Sequence, residues 1–173
     1  LGNFTEAARA EEEARDLLQR LPATHRLQAS FWWGRAMRAD LLDGAWEPIA
    51  RYWSSFIADP ANAESAVVLD DAALAALAHV RMGNLDEGRR LLHALTDALR
   101  KLDASVWLLN GAVAVGGAVV WYLKERDAAP IYAKLAEALI RRGIGDYPCC
   151  SNHLTIARMA ALMGDHKLAA HAF

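Results

Sequence analysis

The sequence predicts an all-α chain, a right-handed α-solenoid of antiparallel helix hairpins stepping by about 40 residues. Three observations carry this reading. Turns containing glycine return at Gly2, Gly44, Gly83 and Gly164, with steps of 42, 39 and 81, the last being two periods. A small or apolar residue followed one helical turn later by a bulky one returns at the same interval, as the seam of an amphipathic helix does. No stretch shows the every-second-residue alternation of a strand.

The elements follow in order. Leu1-Gly2-Asn3-Phe4-Thr5-Glu6-Ala7 opens a helix over 4–20 with Ala7 and Glu11 at the seam, and Pro22 closes this half-repeat, 1–22. A hairpin over 26–60 joins a helix over 27–42, with Met37 facing its pair, to one over 46–58 through Asp43-Gly44. Pro48 falls in the first turn of that second helix, where a missing N–H costs nothing, and Ile49 and Trp53 form its seam. Pro60 separates it from a hairpin over 66–103, whose helices span 66–82 and 85–102 around Met82-Gly83-Asn84, with Ala76 at the close approach and Gly88 and Leu92 at the seam. The next hairpin, 106–145, repeats the scheme over 106–123 and 128–142 with Gly116, Ala128 and Tyr132. Its turn, Lys124-Glu125-Arg126-Asp127, lacks a glycine, and Pro130 begins its second helix. After Pro148 a partial hairpin, 149–173, places Ala157, Ala169 and Phe173 at the same positions, on helices over 150–163 and from 166 on. Small residues at Ala76, Gly116 and Ala157 let the paired helix come close. On this reading Gly116→Ala is neutral or slightly stabilising, since alanine suits a helix interior better than glycine.

Composition narrows the class. Lysine plus arginine number 19 and aspartate plus glutamate 21, a formal charge of −2, which argues against direct nucleic-acid binding. Apolar residues at 54% with 23% charged describe a packed chain rather than a disordered one. Residues 1–173 read as one repeat domain cut from a longer protein, because neither end carries a start or stop signal. Cys149 and Cys150 are adjacent, form no disulfide framework and fit a reducing cytoplasm. The longest uncharged stretch, Val106 to Leu123, is 18 residues, and Asn110, Gly111, Gly116 and Gly117 make it a buried helix rather than a membrane span.

Gly-Asn-Phe-Thr-Glu-Ala, Gly-Asn-Leu-Asp-Glu-Gly and Gly-Asp-His-Lys-Leu-Ala, with Trp33 four residues before Met37, resemble tetratricopeptide (TPR) repeats lengthened beyond the usual 34 residues. Units of about 40 residues, ending in Ile156-Ala157-Arg158-Met159-Ala160-Ala161-Leu162-Met163-Gly164-Asp165 and Ala169-Ala170-His171-Ala172-Phe173, are similar to the helical C-terminal region of large bacterial signalling ATPases. These include LuxR-type, MalT-like transcription regulators and adenylate or guanylate cyclases with a fused ATPase. Ile49, Glu11 and the turn without glycine depart from the pattern and leave another helical repeat family open.

No catalytic motif, cofactor site or metal site is expected. Cys149-Cys150-Ser151-Asn152-His153 places thiols at a helix start and a Cys150–His153 pair one turn apart, but zinc needs a second ligand pair and none is spaced for it. His25, His79, His93, His166 and His171 read as surface or packed residues. Asp70-Asp71 and Glu11-Glu12-Glu13 read as a solvated face or a helix-start charge rather than paired carboxylates for acid/base work, because neighbours on a helix point apart. Gly111-Ala112-Val113-Ala114-Val115-Gly116-Gly117 lacks the dinucleotide-loop spacing and reads as close helix packing. Of the tryptophans, Trp32, Trp33, Trp46, Trp53, Trp107 and Trp121, most belong in the core.

The resemblance implies a concave face lined by the first helix of each pair, presenting Arg38, Leu42, Asp70, Arg81, Asn110, Trp121 and Arg158 to a protein or peptide partner or a small polar effector. The function expected is a non-enzymatic sensor or protein-interaction module of a cytoplasmic bacterial signalling or transcription regulator. The alternatives are a stand-alone structural, peptide-binding or oligomerisation scaffold and, more remotely, a helical enzyme using a cysteine thiol.

Overall fold

The computed structural model describes residues 4–20, 34–36, 39, 44–58, 67–101, 109–144, 146–147 and 150–172. They belong to two compact units, Leu1–Gly44 and Ala45–Phe173, so the division falls at the Gly44 turn.

In the first unit, α1 (Phe4–Arg20) carries Glu6 in its first turn and Arg20 in its last, which complements the helix dipole. The Arg35 guanidinium donates to the Glu11 carboxylate, tying α1 to the helical residues 34–36, where both side chains are largely shielded from solvent. Ala36 and Ala39 are buried. The remainder of the helix expected over 27–42, including Met37, Arg38 and Leu42, lies outside the described residues.

The second unit contains α2 (Glu47–Ala58), α3 (Val67–Arg81), α4 (Leu85–Lys101), α5 (Asn110–Leu123), α6 (Ala129–Arg141), α7 (Asn152–Met163) and α8 (His166–Ala172). The bounds match the periodic reading to within a few residues. Helix α3 packs on α2, α4 and α5; α5 packs on α3, α4, α6 and α7; α7 packs on α5, α6 and α8. The seam pairs Ile49 and Trp53, Gly88 and Leu92, and Ala128 and Tyr132 are all buried, because each turns one stripe of its helix inward.

One departure concerns the start of α7. The helix expected from residue 150 begins at Asn152, and Cys150–Ser151 pairs antiparallel with Asp146–Tyr147 instead. Pro148 disfavours helical backbone at Tyr147 before it. Ser151, extended at ψ 140°, then caps α7 by accepting the His153 N–H at 3.2 Å.

Four helices end the same way. The N–H beyond the last turn reaches back five residues, from Asn84 to the His79 carbonyl (2.9 Å), Glu125 to Val120 (3.1 Å), Ile144 to Leu139 (3.0 Å) and Asp165 to Ala160 (2.9 Å). That geometry needs a left-handed residue just before the bonding N–H. Gly83, Gly143 and Gly164 supply it at three ends, and Lys124 supplies it at the fourth with φ 59°, the one positive φ outside glycine among the described residues. The Lys124 ammonium lies 3.7 Å from the centre of the Trp121 ring, a cation–π contact that offsets part of the backbone strain.

Helix α5 has no charged residue, and Gly111 through Val120 are buried on every side. Such a helix belongs inside a protein rather than on its surface. It is 14 residues long, and no helix among the described residues is long and apolar enough to cross a membrane. Its glycines are spaces for its neighbours. A methyl on Gly111 would stand 2.5 Å from an Asp70 carboxylate oxygen on α3, one on Gly116 2.6 Å from the Tyr132 ring on α6, and one on Gly117 2.5 Å from Thr155 on α7.

The expectation that alanine is harmless at Gly116 is therefore corrected. Tyr132 is fully buried with its hydroxyl 3.4 Å from Thr96 Oγ1, so the ring has nowhere to retreat. Gly116→Ala should destabilise the fold by about 1–3 kcal/mol, the usual cost of overpacking, in a denaturant melt. At the glycine-less turn, Lys124→Gly should be more stable than Lys124→Ala by about 1 kcal/mol, because both lose the ring contact but only alanine keeps the left-handed strain.

Candidate functional site

The candidate site grows from how α5 begins. Leu109 precedes it and offers no side-chain cap, so the first N–H groups look elsewhere. Asp70, in the first turn of α3, supplies the cap from the neighbouring helix, its Oδ1 accepting the Ala112 N–H at 2.6 Å. The next joint uses an amide pair: Asn152 Nδ2 at the start of α7 donates to Asn110 Oδ1 at 2.6 Å and to the Ile144 carbonyl at 3.1 Å. The starts of α3, α5 and α7 are thus linked by polar side chains.

Asp71 shares this neighbourhood and is 0% exposed. Of the two readings of Asp70-Asp71, the helix-start charge holds for Asp70, which lies in the first turn of α3, and the solvated face is overturned at Asp71, because α3 is covered from Asp71 through Ala78. Burial pushes the Asp71 carboxyl up to about 8, and the negative charge of Asp70 adds to the effect. Burial likewise raises Asp70 to about 7, opposed by the Ala112 N–H, which favours the ionised form. Tyr52 on α2 is pushed up to about 12 by burial and by the charge of Asp71.

The other predicted site residues divide by position. Arg81 and Trp121 sit at the opposite ends of their helices from Asp70 and Asn110, with the Arg81 guanidinium carbon 4.5 Å from the centre of the Tyr122 ring. Arg158 is half-buried on α7. Arg38 and Leu42 lie outside the described residues, as do Cys149, Trp32, Trp33 and Trp107. Trp46 and Trp53 are core residues. No group of three or more metal-ligating side chains occurs among the described residues.

A second feature was not legible in the sequence. A polar cleft of about 300 Å³ opens between α4, through His93, Thr96, Asp97 and Arg100, and the turn before α6, through Glu125, Asp127 and Ala128. Its walls are fixed by ion pairs. Arg89 Nε donates to Glu125 at 2.7 Å and His93 Nε2 stands 3.5 Å from the same carboxylate, which holds the Glu125 carboxyl below the usual range. Arg100 pairs with Asp97 at 2.8 Å. Buried Thr96 donates to the Leu92 carbonyl at 2.7 Å. Asp127 makes no ion pair among the described residues and leaves one carboxylate available to a ligand. Only the glycine-less turn marked this place in advance, since the two walls of the cleft lie 25 to 35 positions apart in the chain.

Comparison with known proteins finds no matching family model, curated protein or solved structure.

The cap and the glycine beneath it form one unit, and a double-mutant cycle should reveal this. Gly111→Ala should cost about 1–3 kcal/mol in the native sequence by pushing the Asp70 carboxylate off the Ala112 N–H. In an Asp70→Ala background, which itself loses about 1 kcal/mol of capping, the same change should cost much less. Additive losses in urea melts would contradict the coupling.

Proposed function

We propose that the chain is a non-enzymatic helical-repeat module, a right-handed TPR-like solenoid that receives a protein, peptide or small polar effector for a bacterial signalling or transcription regulator. The observation that carries this reading is the recurring joint. Left-handed caps at Gly83, Lys124 and Gly164, spaced 41 and 40 residues apart, each precede a helix that folds back on the one before it. Arrays of this kind stack through nearest neighbours and work by presenting surface rather than by chemistry. The membership in a LuxR-type or cyclase parent rests on the sequence resemblance alone.

The effector site in this proposal is the cleft between α4 and the turn before α6. Three carboxylates, Asp97, Glu125 and Asp127, face Arg100 and His93 there. With Asp97 and Glu125 already engaged by arginines, Asp127 favours a basic group on the incoming ligand. An NMR titration of the protein with short peptides bearing arginine or lysine tests this. Saturable shifts should concentrate at His93, Thr96 and Asp127, and Asp127→Lys should weaken binding by about tenfold or more. Shifts that fail to saturate, or that survive Asp127→Lys unchanged, would sink the assignment.

A further inference from the structure

We propose that the cleft between α4 and the turn before α6 takes a single basic amino-acid residue with a free α-carboxylate, its side-chain cation at Asp127 and its carboxylate at Arg100. This names the ligand class of the effector site proposed above and rests on that reading. Size, charge balance and the donors left on Arg100 together select such a ligand.

The cleft holds about 300 Å³, the lower end of the range of about 300–1,000 Å³ for small-molecule sites. It admits something the size of one residue rather than a folded segment. Its walls stand in place before a ligand arrives, because Arg89 of α4 ties to Glu125 of the turn at 2.7 Å. Thr96, buried in the lining, spends its hydroxyl proton on the Leu92 carbonyl at 2.7 Å, so it offers an incoming group an acceptor rather than a donor.

The lining sets three acids, Asp97, Glu125 and Asp127, against one arginine, Arg100, and His93 adds positive charge only when protonated. Glu125 is held by Arg89 and Asp97 by Arg100, whereas Asp127 enters no ion pair among the described residues. The ligand's side-chain cation therefore goes to Asp127. A free amino acid also brings an α-ammonium, which the excess of acids favours.

Arg100 is the place for the carboxylate. Its Nη1 donates to Asp97 at 2.8 Å, less than one turn away on the same helix. Both side chains of that pair are more than half exposed, 53% and 63%, and surface pairs of this kind hold their members loosely. The planar guanidinium keeps further N–H donors and can meet a carboxylate bidentately while the Asp97 bond stays in place.

Calorimetric titration of the intact chain with L-arginine, Nα-acetyl-L-arginine and agmatine, which has the guanidinium but no carboxylate, tests the proposal. L-Arginine should bind saturably. Arg100→Gln should weaken it by about tenfold and leave agmatine no weaker, whereas Asp127→Asn should weaken both by a similar factor. Arg100 and Asp127 are exposed, so both variants should melt as the native chain does. Nα-Acetyl-L-arginine separates two sources of the same chemistry: binding kept identifies the carboxy-terminal residue of a peptide, binding lost a free amino acid. L-Arginine unchanged in Arg100→Gln, or agmatine weakened equally by it, would overturn the carboxylate assignment. Agmatine binding while L-arginine and its acetyl derivative both fail would overturn it too, with the basic-ligand reading left standing. Failure of all three ligands to bind would overturn both.

Discussion

The structure of the second unit depends on one constraint: α5 is enclosed on all sides by other helices. A helix of alanine, valine and glycine can be approached closely from several directions, and here its three glycines each admit a different neighbour, Asp70 of α3 at Gly111, Tyr132 of α6 at Gly116 and Thr155 of α7 at Gly117. Each guest carries a polar atom into the interior, so each must be satisfied there. Thr155 donates to the Ser151 carbonyl at 3.1 Å, Tyr132 lies against Thr96, and Asp70 takes the Ala112 N–H. Close packing and polar satisfaction are thus one arrangement.

The same enclosure explains where charge is found. No side chain of Leu109 caps helix α5 and Asn110 pairs with Asn152, so the cap comes from an acid on α3, and burial makes that acid hard to ionise. At its other end the chain emerges into a charged turn, where Glu125 ties back to Arg89 on α4. The cleft lies beside this tie. One end of α5 holds reluctant carboxylates in a dry setting, and the other holds Glu125, kept ionised by Arg89.

Much of the fold was legible because the repeat spacing marks both ends of each helix. Ile49 with Trp53, Gly88 with Leu92 and Ala128 with Tyr132 were readable as buried seam pairs from period alone, and they are buried. Period does not say which recurring position meets which. Gly116 and Tyr132 were each recognised as repeat positions, yet that the ring occupies the space over the glycine follows only from how the two helices are rotated. Asp70-Asp71 misled because two adjacent charges ordinarily signal solvent, and the residue that draws one inward, Ala112, contributes only its backbone. A faint signal existed: Asp70 to Ala112 and Asn110 to Asn152 are both separated by 42 residues, the step of the repeat. For the cleft the glycine-less turn was the one mark, since its walls meet only after α4 and the turn before α6 are brought together.

The way α5 is enclosed also bears on how the chain is made. On a ribosome α5 appears before two of the helices that cover it, and Thr155 follows Gly117 by almost a full repeat. At about 5–20 residues per second the segment waits for seconds with an apolar face uncovered. Its lack of charge then becomes a hazard during biosynthesis, because nothing on that helix discourages contact with other nascent chains. Slow codons or a stall between residues 124 and 150 would lengthen the wait, so the yield of native protein should be more sensitive to translation speed in that stretch than anywhere before it.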